Sequence, residues 1–460
     1  MKVLSVRRLR SISVCIISVA TTAAIASPGA ASASIGAQCS GVNITGQGAA
    51  VEIVAQTTWT ANFNISPDKF ACSGKQGTKK TPTVTYNGTS SGAGLRSFGA
   101  ESKSPAEISF GPGNAFVASA EAPNAAQQAA ILKQESTVTE NTLETLPVAQ
   151  FSLTVYANLP TGCTATSTDA PGRLVLSDAT LQGIYAGTIT TWGQITDDGD
   201  TLTPSTCNTA SIVPVVRNEK SGTANVLKKY LGLINTGTLV TASGNETWDQ
   251  LSEGKLNATW PTALPVVKTT AEGDAAEAEK TASIPGSIGF SNLAELRVTN
   301  LFSGAGNGAG TGKFWFEIQN GSKGKGKSLK LTYADPSSNG DAATAASANC
   351  KKTAYTNGPN PFPPPAVTGL WNEVTTAVPG GPSGLTEKTY SLCNFTYALA
   401  FTTYSLLPGT SEAEATAVNN YLRFVSDKSG GQKELTGADY LAVPKEVLPK
   451  LVEGTAAIGF

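Results

Sequence analysis

The chain has 460 residues with 33 basic and 34 acidic side chains, and it contains no histidine. The absence of histidine excludes serine–histidine and cysteine–histidine catalysis and every histidine-based metal site. A formal net charge of −1 without a basic aromatic patch does not fit a nucleic-acid-binding protein. The length suffices for two or more domains with substantial cores.

Residues 1–33 have the features of a secretory signal peptide. Four basic residues precede an apolar stretch at residues 12–25, and residues 31–33 (Ala-Ser-Ala) match an A-x-A cleavage site. We predict a mature chain that starts at Ser34, with 29 basic and 34 acidic residues and a net charge of −5. We expect a secreted or periplasmic protein without a membrane anchor, because no later segment is long and apolar enough to span a bilayer.

Six cysteines remain after cleavage, an even number that is typical of disulfide bonds in secreted chains. Six cysteines allow 15 pairings, and the wide spacing here argues against zinc clusters. We expect no metal site and no cofactor. Our predicted pairing is sequential: Cys39–Cys72, Cys163–Cys207 and Cys350–Cys393.

Strand and helix patterns alternate along the chain, which indicates an α/β architecture. Residues 84–86, 106–110 and 151–156 are predicted strands. Residues 176–186 are a predicted helix that is capped by Asp178 and stops at Gly187. Ser411 and Glu414 form a capping box before another amphipathic helix.

The segment 213–231 carries the most chemical information. A β-branched run ends at Arg217, and Ser221, Gly222 and Thr223 then open an amphipathic helix. Free N–H groups at such a helix start, together with the positive end of the helix dipole, form an anion site, to which an arginine adds a planar fork of donors. The same pattern fits an ordinary strand-turn-helix with a solvated surface arginine.

Two enzyme motifs match in sequence but not in context. Residues 321–328 fit the P-loop pattern, yet residues 329–334 alternate like a strand, so we predict a hairpin tip there. Residues 88–92 fit a nucleophile-elbow pattern, but Ser90 has no conventional base in a chain without histidine. Residues 303–365 are rich in Gly, Ser, Asn, Ala and Pro, which predicts long loops or an insertion and not a separate domain.

Seven motifs in order resemble those of the phosphate-binding proteins of ABC importers, the PstS-like branch of the type 2 periplasmic binding proteins. The resemblance runs from residue 44 to residue 451. The most specific match is residues 181–192, which are similar to the family's IYxGxIxxW helix and turn. The other matching segments are 44–51, 86–92, 108–114, 217–223, 285–290 and 431–444.

The resemblance implies two α/β lobes with the ligand in the cleft between them and a hinge of two crossing segments, near residues 146–156 and 285–290. The first lobe would comprise residues 34–150 and 289–460, with the loop-rich insertion at 303–365. The second lobe would comprise residues 151–288. Hinge closure on a ligand is the motion expected of such a design.

The resemblance also implies the ligand contacts. Arg217 would bind two oxygens of the oxyanion, with Glu219 fixing its pose, and Ser221 would donate its hydroxyl. Gly222 and Thr223 would offer backbone N–H groups, with the Thr223 hydroxyl as an extra donor. Ser91 would donate to the oxyanion from the first lobe. The full set of predicted ligand-binding residues is Arg217, Ser221, Gly222, Thr223, Ser91, Asn114, Ala50 and Val51.

Two departures from the family pattern affect specificity. Ala50-Val51 stands where the family usually has Thr-Phe, so one side-chain donor is lost. Asn114 falls where the family has an aspartate that accepts the proton of hydrogen phosphate and repels sulfate. An asparagine amide both accepts and donates, so we expect weaker discrimination.

These features predict a non-enzymatic, monomeric oxyanion-binding protein that takes inorganic phosphate for ABC-type uptake, with an ABC permease as partner. Two alternatives remain open at this point. One is a secreted scaffold or adhesive protein that keeps the PstS-like fold without a transport role. The other is a phosphatase on the same scaffold, which the absence of histidine and of a recognisable metal cluster supports little.

Overall fold

The structure is a computed structural model. It leaves the predicted signal peptide, Cys39 and Cys72 outside the described residues. The described residues are 42–65, 83–134, 142–234, 239–241, 244–252, 260–261, 268–304, 312–323, 330–340, 344–350, 362–366, 368–371, 374 and 389–460.

The fold alternates strands and helices as the sequence predicts. The strands are β1 (Ile44–Gly48), β2 (Val84–Gly88), β3 (Phe116–Ser119), β4 (Leu143–Asn158), β5 (Thr164–Thr166), β6 (Val175–Leu176), β7 (Thr201–Thr203), β8 (Val213–Arg217), β9 (Leu239–Thr241), β10 (Gly244–Glu246), β11 (Thr269–Ala271), β12 (Ser287–Asn292), β13 (Lys313–Trp315), β14 (Glu317–Lys323), β15 (Lys330–Ala334), β16 (Cys393–Phe401) and β17 (Tyr440–Leu441). The helices are α1 (Ile53–Ile65), α2 (Ser91–Ser97), α3 (Ala125–Leu132), α4 (Asp178–Ala186), α5 (Gly222–Ile234), α6 (Trp248–Ser252), α7 (Asp274–Ser283), α8 (Leu293–Thr299), α9 (Thr368–Trp371), α10 (Glu412–Ser426), α11 (Gly431–Glu434) and α12 (Leu448–Ala457).

A single large sheet organises the molecule, with the strand order β11-β8-β12-β4-β16-β3-β1-β2. Strands β1, β2 and β3 run parallel at one end, and β8, β11 and β12 run parallel at the other. Parallel strands are joined by crossover helices, so their carboxyl ends lie on the same edge and their loops can converge there. This is the mixed α/β, two-lobed fold that the resemblance implies.

Strand β4 is shared by the two halves of the sheet. Its first part, up to Ser152, pairs with β16, and its second part, from Leu153 to Asn158, pairs with β12. All sixteen of its residues are buried, including the polar residues of its sequence LETLPVAQFSLTVYAN, so β4 lies in the interior along its whole length. The shared strand contains the predicted first crossing at 146–156, while the lobe boundaries 34–150, 151–288 and 289–460 remain predictions.

Local predictions succeeded where caps and turns decide the structure. The predicted strands at 84–86 and 151–156 lie in β2 and β4. The predicted helix at 176–186 is α4, which stops at Gly187 in the left-handed region (φ 80°), although its cap is Ser177 instead of Asp178. Ser411 caps α10 as predicted.

The strand predicted at residues 106–110 is wrong. A 3-10 turn at Pro105–Glu107 occupies that region, and the strand of this part of the sheet is β3, six residues further on. The turn residues Gly111, Pro112 and Gly113 precede β3 instead of following a strand.

The region 303–365 contains more regular structure than its composition predicts. Strand β13 pairs with β4, and β14 and β15 form an antiparallel hairpin whose first strand also pairs with β6. The hairpin was predicted from residues 321–334, and its tip at residues 324–329 lies outside the described residues. Arg173 binds the hairpin strands through ion pairs of 2.7 Å to both Glu317 and Asp335.

Two of the three predicted disulfides are confirmed. Cys163 and Cys207 are bridged, with their Cα atoms 6.0 Å apart, and Cys350 and Cys393 are bridged, with their Cα atoms 5.9 Å apart. The predicted pair Cys39–Cys72 falls outside the described residues.

Candidate functional site

Loops from the two halves of the sheet meet at one place. The amide of Gly92, which follows β2, donates to the carbonyl oxygen of Lys220, which follows β8, over 3.0 Å. A Cβ added to Gly222 would lie 2.4 Å from Oγ of Ser91. The structure therefore brings the predicted contact Ser91 together with the predicted loop that begins at Arg217.

Helix α5 is built as the sequence predicts. Ser221 Oγ accepts from the amide of Ala224 over 3.2 Å, which is the bond of a helix N-cap. The first-turn amides of Gly222 and Thr223 have no partner within the helix, as at every helix start. One face of α5 is buried in the core, so its amino end is fixed where the two halves meet; the buried apolar residues are Val226, Leu227, Tyr230 and Leu231.

Arg217 is not a solvated surface residue, so that alternative is wrong. The residue is only 2 % exposed and lies within a set of carboxylates. Nη2 donates to Glu219, the pairing that the resemblance implies, and Nη1 donates to Asp274. The Nε atom lies 3.8 Å from Oε2 of Glu277. Two guanidinium nitrogens therefore already donate hydrogen bonds to carboxylates of the protein itself.

Asp274 and Glu277 were not foreseen from the sequence. Both belong to the first turn of α7, which follows β11, and β11 pairs in parallel with β8 so that Ala271 lies beside Arg217. An acidic residue at a helix start is ordinary in a sequence. The signal that could have identified Asp274 and Glu277 is their position at the start of the helix that follows β11, the strand beside β8.

The electrostatics of this group are dominated by burial and by the carboxylates. Burial disfavours the charged guanidinium, but Asp274, Glu277 and Glu219 together outweigh it and raise the pKa of Arg217. Burial also raises the pKa of Glu277 well above its usual value, although Arg217 and the amide of Phe290 oppose this effect. Arg217 is thus one cation among three neighbouring acidic side chains, and their combined effect holds it in its charged form.

The predicted hydroxyl donors already have partners within the protein. Oγ of Ser91 accepts from the amide of Ala120 over 3.0 Å, which ties the start of α2 to the end of β3. Oγ1 of Thr223 donates to Oδ1 of Asp274 over 3.2 Å. A hydroxyl that accepts a bond keeps its proton for donation, so Ser91 retains a donor whereas the Thr223 proton is used by Asp274.

Ala50 and Val51 lie at the carboxyl end of β1, in a 3-10 turn that continues to Glu52. The carbonyl oxygen of Val51 accepts from Nδ2 of Asn292 over 2.9 Å and from the hydroxyl of Tyr440 over 2.5 Å. This turn therefore links the end of β1 to the end of β12 and to β17.

Glu52 gives a prediction on stability. Its buried carboxyl receives bonds from Gln56 over 2.7 Å and from Thr396 over 2.5 Å, and burial raises its pKa to about 7. The folded pKa exceeds the unfolded value of 4.5, so the free energy of unfolding falls as pH rises from about 4.5 to about 7. The ionisation of Glu52 should lower the free energy of unfolding of the wild type by on the order of 3 kcal/mol across this pH window. We expect the Glu52→Gln variant to lack this decrease.

Urea unfolding of wild type and Glu52→Gln at pH 5 and pH 8 checks this prediction. The exposed Glu412 offers a matched control, since Glu412→Gln should keep the pH dependence of the wild type. A Glu52→Gln variant that loses as much stability as the wild type between the two pH values would rule the assignment out.

Asn114 does not lie at its predicted position. It precedes β3, and its Nδ2 donates to Ser109 O over 2.6 Å and to Ser97 Oγ over 3.0 Å. The strand of four residues that follows spans about 13 Å, so Asn114 lies at the opposite edge of the sheet from the loops that meet Arg217. The expectation that Asn114 faces the ligand across the cleft is therefore wrong in position.

Glu121 lies beside the amino-terminal half of α5 instead. It follows β3 as Ser91 follows β2, and its carboxylate accepts from Nδ2 of Asn225 in the first turns of α5. Oε1 also lies 3.0 Å from Nζ of Lys229. The signal that could have found it is the polar residue after the strand at 116–119, a position equivalent to Ser91 in the neighbouring strand.

A second ion pair joins the two halves nearby. Nζ of Lys220 binds the carboxylate of Glu101, whose other oxygen accepts from Nε2 of Gln127 over 3.1 Å. The contact surface between the halves is thus polar at its margin and contains small residues at its centre, where Gly92 and Gly222 allow close approach.

The close packing of Gly222 against Ser91 and Ala120 gives a testable prediction. A methyl group at this position would lie 2.4 Å from Ser91 Oγ and 2.7 Å from Ala120 Cβ, which is too close for the observed packing. We expect Gly222→Ala to lower the free energy of unfolding by about 1–3 kcal/mol. The binding of any ligand at this place should also weaken by about tenfold or more. Gly113→Ala is the matched control, because its Cβ would meet nothing within 4 Å. Equal unfolding free energies and affinities for the two variants would contradict the predicted clash.

Two features of the described residues concern metal ions and membranes. Within the described ranges, no group of three or more cysteine, aspartate or glutamate side chains is arranged to hold a metal ion. In the same part of the chain, no helix has the length and apolar character needed to cross a membrane.

Comparison with known structures supports the fold. A phosphate-binding protein from Stenotrophomonas maltophilia superposes with a TM-score of 0.57 at 17% identity, covering 89% of this chain and 93% of that one. A human phosphate binding apolipoprotein superposes with a TM-score of 0.56 at 16% identity, covering 91% and 98% of the two chains. The phosphate-bound, high affinity periplasmic phosphate-binding protein PfluDING gives a TM-score of 0.55 at 17% identity, covering 89% and 93%.

At such identities these likenesses establish a shared fold. No curated protein matches the chain in sequence. Residues 43–362 match the family model of the PBP superfamily domain, which is more than half of the chain. The chain therefore belongs to the PBP superfamily.

Proposed function

We propose that this protein binds an oxyanion, inorganic phosphate in the first place, where the loop from Arg217 to Thr223 meets Ser91. The observation that carries the proposal is the convergence of the amino end of α5 with the loop after β2 at a buried arginine. The protein would act without catalysis, secreted or in the periplasm, and deliver its ligand to the permease of an ABC importer.

The donors at this place suit an oxyanion. A buried anion must have its oxygens hydrogen-bonded, because burial of an unpaired charge is very costly. The amides of Gly222 and Thr223 belong to the first turn of α5, where free N–H groups and the positive end of the helix dipole favour an anion. The Ser221 and Ser91 hydroxyls would complete the donor set from the two sides.

Arg217 would act differently from the simple two-oxygen clamp that the resemblance implies. Nη1 and Nη2 each donate to a carboxylate, so their second N–H groups and Nε–H, which has no hydrogen-bond partner among the described residues, are the donors left for a ligand. Its main contribution would be to hold Glu219 and Asp274 in place and to supply positive charge beside the helix start. Glu121, across from α5, replaces Asn114 as the first-lobe residue that we propose to face the ligand.

The names of the similar structures agree with this proposal. All three are described as phosphate-binding proteins, and one was solved with phosphate bound. None of the three names describes an enzyme, which supports binding without catalysis as the proposal for this chain.

One observation favours a second candidate, a secreted scaffold or adhesive protein without a ligand. The charge of Arg217 is already matched by carboxylates, and the loops of the two halves are in direct contact. In that case the same contacts would serve only to hold the two lobes together.

Isothermal titration of the mature protein with phosphate distinguishes the two candidates. Two serines provide matched variants, because Ser221 and Ser411 both cap a helix with an Oγ–N distance of 3.2 Å. Each change to alanine should cost about 1 kcal/mol of stability, but only Ser221→Ala should also weaken phosphate binding. Absence of binding by the folded wild type, or equal affinities for the two variants, would refute the proposed site.

A further inference from the structure

The two halves of the sheet meet through oppositely charged side chains. The half that contains β1, β2 and β3 contributes the carboxylates of Glu101 and Glu121. The half that contains β8, β11 and β12 contributes Lys220, which lies between β8 and α5, and Lys229 within α5. Both ion pairs therefore cross from one half to the other, and both are separate from the carboxylates around Arg217.

The contact at Glu121 is buried. Glu121 is 6 % exposed, and its carboxylate accepts a hydrogen bond from Nδ2 of Asn225, which is 2 % exposed. Lys228 of α5 is 1 % exposed and interacts electrostatically with Glu121. Burial lowers the pKa of Lys228 to about 8, but Glu121 opposes this decrease, so Lys228 is mainly charged at neutral pH. A buried charge of this kind is destabilising once its partner is removed.

The residues on either side of this contact are fixed to their own halves. The amide of Ala120 donates to Oγ of Ser91 over 3.0 Å, and its carbonyl oxygen accepts from Nδ2 of Asn394 in β16 over 2.8 Å. Helix α5 packs against α4 and α6, which belong to the other half. Separation of the halves would therefore break the contacts between Glu121 and α5.

The contact at Glu101 lies at the margin of the same surface. The side chains of Lys220 and Glu101 are 29 % and 33 % exposed, so their attraction is weak and screened by salt. The carbonyl oxygen of Lys220 accepts from the amide of Gly92 over 3.0 Å, and Gly92 is buried. This backbone bond runs directly between the halves, so the Gly92 amide reports on their separation.

We propose that the contacts of Glu101 with Lys220 and of Glu121 with α5 form a latch that holds the two halves closed when no ligand is bound. The latch consists only of groups of the protein, so this inference goes beyond the proposed function and does not depend on it. A site that is already closed binds its ligand without the cost of ordering the two halves, but the ligand enters only while the latch is open.

Hydrogen exchange of the Gly92 amide measures the opening of the latch. The mature protein is unfolded in urea with its disulfides intact, dialysed free of anions that bind, and refolded without phosphate or sulfate. Two amides that bond within one half are references, since Ala49 donates to Ala118 O and Val213 to Gly286 O, each over 2.9 Å. We expect the Gly92 amide to exchange at least about a hundredfold slower than an unstructured amide. Exchange at the unprotected rate, with both reference amides protected, would overturn the inference.

A variant at the buried contact tests which residues form the latch. Glu121→Gln keeps the shape of the side chain but leaves Lys228 buried without its carboxylate. The exchange of the Gly92 amide should become about tenfold faster or more, while the two reference amides keep their wild-type rates.

The exposed pair gives a second variant and a control. Glu101→Gln should speed exchange of the Gly92 amide by about two- to fivefold, and 1 M NaCl should have the same effect on the wild type. Glu453→Gln removes an ion pair of 2.8 Å within α12 and should leave this exchange unchanged. If Glu121→Gln does not fold, the wild type and Glu101→Gln decide. Wild-type exchange in every folded variant, with no effect of salt, would overturn the latch.

Discussion

Replacement of Arg217 by methionine is expected to lower the free energy of unfolding by about 3–5 kcal/mol and to abolish oxyanion binding. The guanidinium is buried and pairs with Glu219 and Asp274, while Glu277 lies beside it. Removing the cation leaves these carboxylates buried without compensation, which costs more than the loss of the pair itself. Urea unfolding gives the stability, and titration calorimetry gives the affinity.

Arg173 provides the matched control. It is also buried, and it binds the two carboxylates Glu317 and Asp335, but it lies at the β14–β15 hairpin. Arg173→Met should be destabilising to a similar extent while the folded protein keeps its ligand affinity. Adding Asp274→Asn to Arg217→Met should recover part of the lost stability, because it removes one uncompensated charge. An Arg217→Met variant as stable as the wild type would contradict the account of this cluster.

Loss of the Cys350–Cys393 bridge is expected to cost about 4 kcal/mol of unfolding free energy. The bridge closes a loop with a sequence separation of 43 residues, and the chain-entropy model gives roughly this value for such a length. It also fixes the start of β16, the strand that pairs with the first half of β4. Urea unfolding of the double variant Cys350→Ala/Cys393→Ala under oxidising conditions measures the effect.

The second bridge closes a loop of nearly equal length and can therefore be compared directly with the first. Cys163–Cys207 has a sequence separation of 44 residues, so the same model predicts an equal cost for Cys163→Ala/Cys207→Ala. Wild-type stability in both double variants would mean that neither bridge forms in solution. A large difference between them would show that native-state packing, and not loop entropy, sets their contribution.

The amino end of α5 could be predicted from the sequence because its determinants are local. Ser221 caps the helix, Gly222 permits close approach, and the apolar spacing defines the buried face. The partners Asp274 and Glu277 could not be predicted in the same way. They lie 57 and 60 residues beyond Arg217 in the sequence and reach it only because β11 pairs with β8.

The error at Asn114 has a physical cause. Residues 111–113 have the composition of a turn after a strand, which is why a strand was predicted before them, at residues 106–110. Strand β3 follows them instead, and its four residues are all buried, so they show no alternation that would identify a strand. Asn114 was matched to the family's aspartate within the segment 108–114, which lies before β3, whereas Glu121 follows β3.

The region 303–365 shows how tertiary contacts override composition. Its Gly- and Ser-rich stretches predict loops, yet β13 forms by pairing with the buried strand β4. This strand pairing depends on a partner that lies far away in the sequence, since Lys313 of β13 lies opposite Asn158 of β4. The hairpin β14–β15, whose strands are adjacent, was predictable because its alternation is local.

The central claim is that the two halves of the sheet hold an oxyanion between Ser91 and the amino end of α5. A crystal structure of the mature protein grown with arsenate, a phosphate-like anion whose scattering identifies it, tests this most directly. We expect arsenate within hydrogen-bonding distance of the Gly222 and Thr223 amides and of the Ser91 hydroxyl. An ordered structure that binds arsenate elsewhere, or that leaves this place without it at saturating concentration, would contradict the account.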